Sequence, residues 1–330
     1  MTRSSWCCAI GAVGFLAACS SDPTAPNGAA DNLGIDANGG HPAGTVGATV
    51  PLDSRPFGAG VSRNGNGTYY ITRLDAGAVS GGVFPAAAFP NTITVGSIPT
   101  NVIFNSTGTT AYVTNQWSQN IGIIDVATNT QVTTIPIAGD PFNLILSLDG
   151  TRLYVSNNAN NVTVADIASR NVITTIPMPG PPNGLALSRN GTRLYISHPF
   201  NGVVVEVNTA TNTVVRTLVV PGSPQDMVVF DGAELFVANE AGSLDVVNLS
   251  TGAVATSIPL PGGGFGLAMS PDRAQLYVGQ PAGYLTIVNR ANRTIVKTLD
   301  LEGSPRKIAF NAAGKFAVVA NEAGWVDFIK

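Results

Sequence analysis

Gly108-Thr109-Thr110-Ala111-Tyr112-Val113-Thr114-Asn115 is answered 42 residues later by Gly150-Thr151-Arg152-Leu153-Tyr154-Val155-Ser156-Asn157, and again by Gly191-Thr192-Arg193-Leu194-Tyr195-Ile196-Ser197-His198. The theme continues in Ala233-Glu234-Leu235-Phe236-Val237-Ala238-Asn239 and Ala274-Gln275-Leu276-Tyr277-Val278-Gly279-Gln280. Looser copies stand at Tyr69-Tyr70-Ile71-Thr72-Arg73 and Phe316-Ala317-Val318-Val319-Ala320-Asn321. The copies end at 73, 115, 157, 198, 239, 280 and 321, a spacing of 41 or 42 throughout. A fixed period of this length marks repetition of one supersecondary unit.

Each unit holds four strand-like runs. In the fifth they are 227–230, 234–238, 244–248 and 254–259, β-branched-rich and separated by Asp-Gly, Glu-Ala-Gly and Ser-Thr-Gly turns. Four short antiparallel strands per unit of about 40 residues describe a propeller blade. One blade cannot bury both faces of its sheet, so blades must stack around an axis through their alternating apolar positions. The last unit runs from Ser304 to Lys330 with only three strands. Its fourth is expected at the other end of the chain, where 44–52 matches the outer strand 129–137. The predicted fold is therefore all-β: a seven-bladed β-propeller of four-stranded antiparallel blades. The N-terminal strand (about 45–52) completes the last blade and closes the ring, leaving no free sheet edge between the ends. Residues 77–89 carry Ala and Gly where other units carry Val-Ile-Asp, which predicts an irregular third strand in the first blade.

Tyr112-Val113-Thr114-Asn115, followed by Ile121-Gly122-Ile123-Ile124-Asp125 and Ala127-Thr128-Asn129-Thr130, resembles the YVTN repeat of bacterial and archaeal surface-layer-type β-propellers. The resemblance covers about 45–330 and implies fold far more than ligand, since members are mostly envelope or surface proteins without established catalysis.

The N-terminus reads as a targeting segment. Arg3 precedes an apolar stretch from Trp6 to Ala18, too short for the ~20 residues that span a bilayer. The stretch ends in Leu16-Ala17-Ala18-Cys19, which resembles the bacterial lipobox. That resemblance implies removal of residues 1–18 and acylation of Cys19. All three cysteines, Cys7, Cys8 and Cys19, fall in this segment, so the predicted folded body has no disulfide or thiol chemistry. Residues 19–44, with Pro23, Pro26, Gly28, Gly39 and Gly40, read as a tether with a reach on the order of 25–30 Å. The expected location is the exported face of a membrane, reached through a lipid anchor. Ser20 and Ser21, where some inner-membrane lipoproteins carry Asp, point to the outer membrane, facing the periplasm or the cell surface.

In a propeller the loops from fourth to first strand and from second to third strand share one face, where most ligand sites lie. The first-strand starts place Phe57, Phe142, Asn183, Gln225, Phe265 and Arg306 there, with Asp226 and Lys307 one residue deeper. The second-to-third loops add Trp117, His198, Glu240 and Trp325, with Phe200, Tyr284 and Glu322 beside them. Exposed aromatics suit partner contact. The polar ring at 73, 115, 157, 198, 239, 280 and 321 is more simply turn chemistry, because Asn at a strand end bonds nearby backbone. Asp125 and Asp166 read as turn caps in the same way.

Catalytic motifs are missing from the sequence. His41 falls in the tether, which leaves His198 alone in the body and builds no His/Cys metal site. There is no Gly-x-Ser-x-Gly, no phosphate-binding Gly-rich loop and no haem motif, so neither cofactor nor metal is expected. Only 11% of residues are charged, the full chain carries −3, and Lys and Arg are scattered, which argues against nucleic acid. The expected function is a non-enzymatic binding or interaction scaffold of the cell envelope, with a protein, glycan or small molecule as partner. The alternative is a hydrolase or lyase of the lactonase-like kind, with His198 and Asp226 at the channel mouth.

Overall fold

The structure is a computed structural model that describes residues 42–330. These form seven four-stranded antiparallel sheets. Blades one to six span 56–94, 99–136, 141–177, 185–219, 224–259 and 266–300. Blade seven takes three strands from 305–329 and its outer strand, Val46–Pro51, from the other end of the chain. Val46 pairs with Ile329 and Pro51 with Trp325. The ring is thus closed by hydrogen bonds between chain ends, as the repeat count predicts. The four runs of the fifth unit appear as Pro224–Phe230, Glu234–Asn239, Ser243–Asn248 and Val254–Pro259.

Each position of the repeated tetrapeptide has a physical role. Tyr112, Tyr154, Tyr195 and Tyr277 are buried in the blade-to-blade cores, together with the Val or Ile that follows. The third position explains the inner edge. The first strands of blades one to three carry a bulge near their start, after Pro56, Pro99 and Pro141, and an offset of this kind leaves a backbone N–H without a ladder partner. The hydroxyl at the third position accepts it: Gly58 N–H donates to Thr72 at 2.7 Å, Asn101 N–H to Thr114 at 2.9 Å and Asn143 N–H to Ser156 at 2.9 Å. Gly184 N–H donates likewise to Ser197 at 2.8 Å.

The fourth position clamps the loop arriving from the previous blade. Asn239 Oδ1 accepts Ser223 N–H at 2.8 Å and Ala241 N–H at 3.1 Å, while its amide donates to the Pro221 carbonyl at 2.7 Å. Asn157 and Asn321 repeat the pattern. Arg73 reaches the corresponding loop through Asp53. At 73, 157, 239, 280 and 321 the polar ring is therefore turn chemistry, as expected. Asp125 and Asp166 are turn caps too, each accepting a backbone N–H and a hydroxyl from the residue three further on.

One expectation is corrected. The third strand of blade one, Ala78–Val83, is regular and pairs with Thr68–Arg73 in unbroken register. Its glycines are required by packing: a Cβ at Gly81 would lie 2.6 Å from the Tyr70 ring, and one at Gly82 would lie 2.4 Å from the Tyr69 hydroxyl. The small residues make room for two buried tyrosines instead of breaking the strand.

Strand direction defines two faces. Loops joining fourth to first and second to third strands form the mouth face; the remaining loops form the rear face. Because Val46 pairs at the far end of Trp325–Ile329, the N-terminal strand begins on the rear face. The last residues before it are fastened there. The Pro42 carbonyl accepts from the Tyr277 hydroxyl at 3.1 Å, and Gly44 lies against Ile287.

Candidate functional site at the channel mouth

The first strands approach so closely that blades one, four and six admit only glycine beside the channel. A Cβ at Gly58 would fall 2.7 Å from the Thr100 carbonyl oxygen, one at Gly184 2.3 Å from that of Gln225, and one at Gly266 1.7 Å from that of Arg306. The channel is correspondingly narrow, and its lining side chains interlock.

At the mouth, Phe57 packs edge-on against Phe142 (centroids 5.9 Å apart) and against Phe265 (5.8 Å). Leu74 and Ile98 complete this buried cluster. Arg306 lies over it, its guanidinium carbon 4.5 Å from the Phe265 ring centre, close enough for a cation–π contact. Arg306 Nε donates to Glu322 at 2.6 Å, and Arg55 pairs with the other oxygen of the same carboxylate. Burial alone would raise the Glu322 carboxyl, but the Arg306 and Arg55 charges outweigh it and hold it below the usual range. The cavity left between these side chains is about 40 Å³. That is room for roughly two or three waters, well short of the ~300 Å³ of a typical small-molecule pocket.

Deeper polar residues satisfy one another. Asn101 donates to Asn143. Asn183 donates to Gln225, and Gln225 donates in turn to Glu240 at 2.7 Å. Burial pushes the Glu240 carboxyl up, against smaller opposing pulls from Arg306 and Gln225. Lys307 Nζ donates to Asp226 Oδ2 at 2.9 Å, an ion pair with side chains only 9% and 16% exposed. Asp226 also accepts backbone N–H groups of Met227 and Leu267.

The sequence-predicted residues thus separate into groups. Phe57, Phe142, Phe265 and Arg306 form one plug; Asn183, Gln225 and Glu240 form one hydrogen-bonded chain; Asp226 and Lys307 form one pair. His198 joins none of them. It is fully buried beside the backbone of Gly180 and Pro181, and burial pushes its pKa down to about 4 against the smaller opposing pull of those backbone groups. Trp325 lies against its own blade's Gly303 turn, within 2.8 Å of where a Cβ there would stand. Trp117 is 51% exposed on the mouth face, and Phe200 and Tyr284 stand out of the same face at 59% and 39%. Among the described residues no group of three or more His, Cys, Asp or Glu is arranged to hold a metal. Cys19 lies outside the described residues.

Sequence reasoning missed Arg55 and Asn158. Arg55 belongs to a row that was not read, preceding Pro56 as Ser223 precedes Pro224, and Asn158 belongs to the row of Glu240 and Glu322, following Asn157 as Glu240 follows Asn239. Asn158 borders both the mouth cavity and a neighbouring hollow lined by Pro181, Pro182, Pro199 and Phe200. Reading one further row, and carrying the Glu240 row through every blade, would have found them.

The architecture is that of a seven-bladed β-propeller, and comparison with known structures agrees. A chain of Kuenenia stuttgartiensis hydrazine synthase superposes with a TM-score of 0.76 at 19% identity, over 86% of this chain and 98% of that one. The likeness is one of fold. No protein-family model matches the chain, and no curated protein matches it.

Proposed function

We propose that this chain is a non-enzymatic interaction scaffold of the cell envelope, a YVTN-type propeller held at a membrane through a lipid on Cys19, which engages a partner with its mouth face. The observation carrying this reading is the pairing of a closed mouth with an apolar surround. Phe57, Phe142, Phe265 and Arg306 fill the channel opening, while Trp117, Phe200 and Tyr284 stand exposed on the same face. Large exposed aromatics anchor protein and glycan contacts, whereas a cavity of about 40 Å³ does not enclose a substrate. The YVTN assignment is supported by the recurrence of one role at each motif position, and the lipid anchor by the position of Cys19 at the end of the apolar stretch.

The test is crosslinking in intact cells with the full chain. Trp117→Ala, Phe200→Ala and Tyr284→Ala should each reduce recovery of the partner, and Leu148→Ala, exposed on the rear face, should leave it unchanged. Equal recovery from all four variants would rule out the mouth face as the contact surface.

The hydrolase reading retains one observation in its favour: Glu240 is raised and Glu322 lowered at a single mouth, the acid-and-base arrangement that catalysis uses. Loss of an esterase or lactonase activity in Glu240→Gln, with the fold intact, would establish it.

A further inference from the structure

Charge is divided along the propeller axis. Of the 16 basic side chains among residues 42–330, twelve lie on the half toward the rear face and four on the half toward the mouth. Of the 17 acidic ones, seven lie rearward and ten mouthward. The side chains of the rear half therefore sum to +5 and those of the mouth half to −6, although the described body as a whole carries only −1. The bulk composition hides this division completely.

The rear acids are largely committed locally. Asp125, Asp149 and Asp166 cap their own turns, and Glu206, Asp231 and Glu234 are engaged by arginines. Arg63 and Arg170 are exposed in rear loops, Arg189 is exposed there while paired with Asp231, and Lys297 is exposed midway along the outer strand of blade six. The rear face is also where the N-terminal chain arrives, with Pro42 and Gly44 packed at blade six.

From these two observations we infer that the rear face is a membrane-docking surface: it lies against anionic lipid headgroups and turns the aromatic mouth outward. The inference rests on the lipid-anchored reading above. Twenty-three residue steps separate Cys19 from Pro42, a contour of up to roughly 80 Å, so a tether by itself leaves the ring free to present any side. The charge division supplies what the tether lacks. Anionic headgroups attract the rear half and repel the mouth half, and each basic group near the surface strengthens the attraction. A lipid anchor combined with a basic surface is the two-signal arrangement that makes peripheral attachment firm.

The test places a fluorescent residue at Ala313 on the rear face or at Ala323 on the mouth face, both exposed, in the full chain. Headgroup-linked quencher is carried in vesicles of phosphatidylcholine with phosphatidylglycerol. The lipidated protein should show quenching at 313 and little at 323. The asymmetry should fade between roughly 0.01 M and 1 M salt, as the Debye length falls from about 30 to 3 Å. In the Cys19→Ala chain the same label at 313 should be quenched only on anionic vesicles at low salt. The triple change Arg63→Glu, Lys297→Glu, Lys315→Glu should weaken that binding on the order of 10–100-fold. Equal quenching at both positions, or stronger quenching at 323, overturns the docking surface. So does charge-independent binding of the Cys19→Ala chain. If the wild-type chain fails to stay on neutral vesicles, the anchor reading falls, while the Cys19→Ala measurements still decide the docking face.

Discussion

Replacing Asp226 by Asn tests whether the channel interior is as dry as its geometry implies. Lys307 Nζ lies 2.9 Å from Asp226 Oδ2, and the two side chains are 9% and 16% exposed. At that burial solvent screens the pair little, and removing one partner leaves the other charge uncompensated, at a cost of about 3–5 kcal/mol. The two single changes are not equivalent. Lys307→Met leaves the Asp226 carboxylate with backbone donors from Met227 and Leu267. Asp226→Asn leaves the Lys307 ammonium facing at best an amide oxygen, so it should be the costlier of the two. Because unfolding entropy scales at roughly 2 cal/mol/K per residue, a loss of 3–5 kcal/mol in a body of this size lowers Tm by about 5–8 °C. The double change Asp226→Asn, Lys307→Met should recover much of this, giving a coupling of about 1–3 kcal/mol in a double-mutant cycle. Urea unfolding of the four proteins at neutral pH and moderate salt is the assay. A coupling under about 0.5 kcal/mol would mean that water reaches the pair and that the channel is open, which would refute the argument from close-packed first strands.

Other perturbations probe separate parts of the ring. Gly266→Ala drives a methyl toward the Arg306 carbonyl, 1.7 Å from its ideal position, and should cost about 1–3 kcal/mol of overpacking or more, read as a lower urea midpoint. His198 is held neutral, its pKa lowered to about 4. As pH falls from about 6.5 toward 4 the unfolded chain gains a proton that the folded one refuses, so stability drops. His198→Asn should flatten that acid limb in pH-dependent melts. Asp327 behaves oppositely. Burial raises its pKa to about 6, against hydrogen bonds from Thr49 and Asn321. Its protonated form favours the folded state, a contribution full below about 4 and lost as pH rises through about 6. Asp327→Asn should therefore lose less stability than wild type between pH 4 and 7. Equal slopes for the two proteins would contradict the burial argument.

The architecture was readable from residue spacing because most blades solve the same problem with the same kinds of atom, the hydroxyl of the third position recurring in blades one to four. Tyr packs between sheets, Thr or Ser feeds a bulge N–H, and Asn ties down a loop; such local requirements recur at fixed intervals and leave a period. The mouth was only half readable. Phe57, Phe142, Phe265 and Arg306 sit in a row the period exposes, so their convergence could be anticipated from position alone. The Arg55–Glu322 contact spans 267 residues and exists only because the ring closes. His198 misled for the opposite reason: its place in the ring suggests access to the channel mouth, whereas the structure buries it completely. The glycines of blade one misled through composition, since a run of Gly looks like a break until the tyrosines it accommodates are seen.

Pseudo-sevenfold repetition also limits where individuality can reside. A feature shared by all blades serves the ring, because identical backbone positions have identical structural needs. Whatever distinguishes this propeller must lie where the copies differ, and the differences are not spread evenly. The row at the channel mouth reads Phe57, Thr100, Phe142, Asn183, Gln225, Phe265 and Arg306, with no consensus. The second-to-third loops carry Trp117, Phe200 and Tyr284 at an otherwise variable place. The rear loops differ in charge, with Asp149 and Asp231 in some and Arg63, Arg189, Arg290 and Arg293 in others. Aromatic divergence on one face and charge divergence on the other mark those two faces, and not the blade cores, as the places where this propeller's individuality resides.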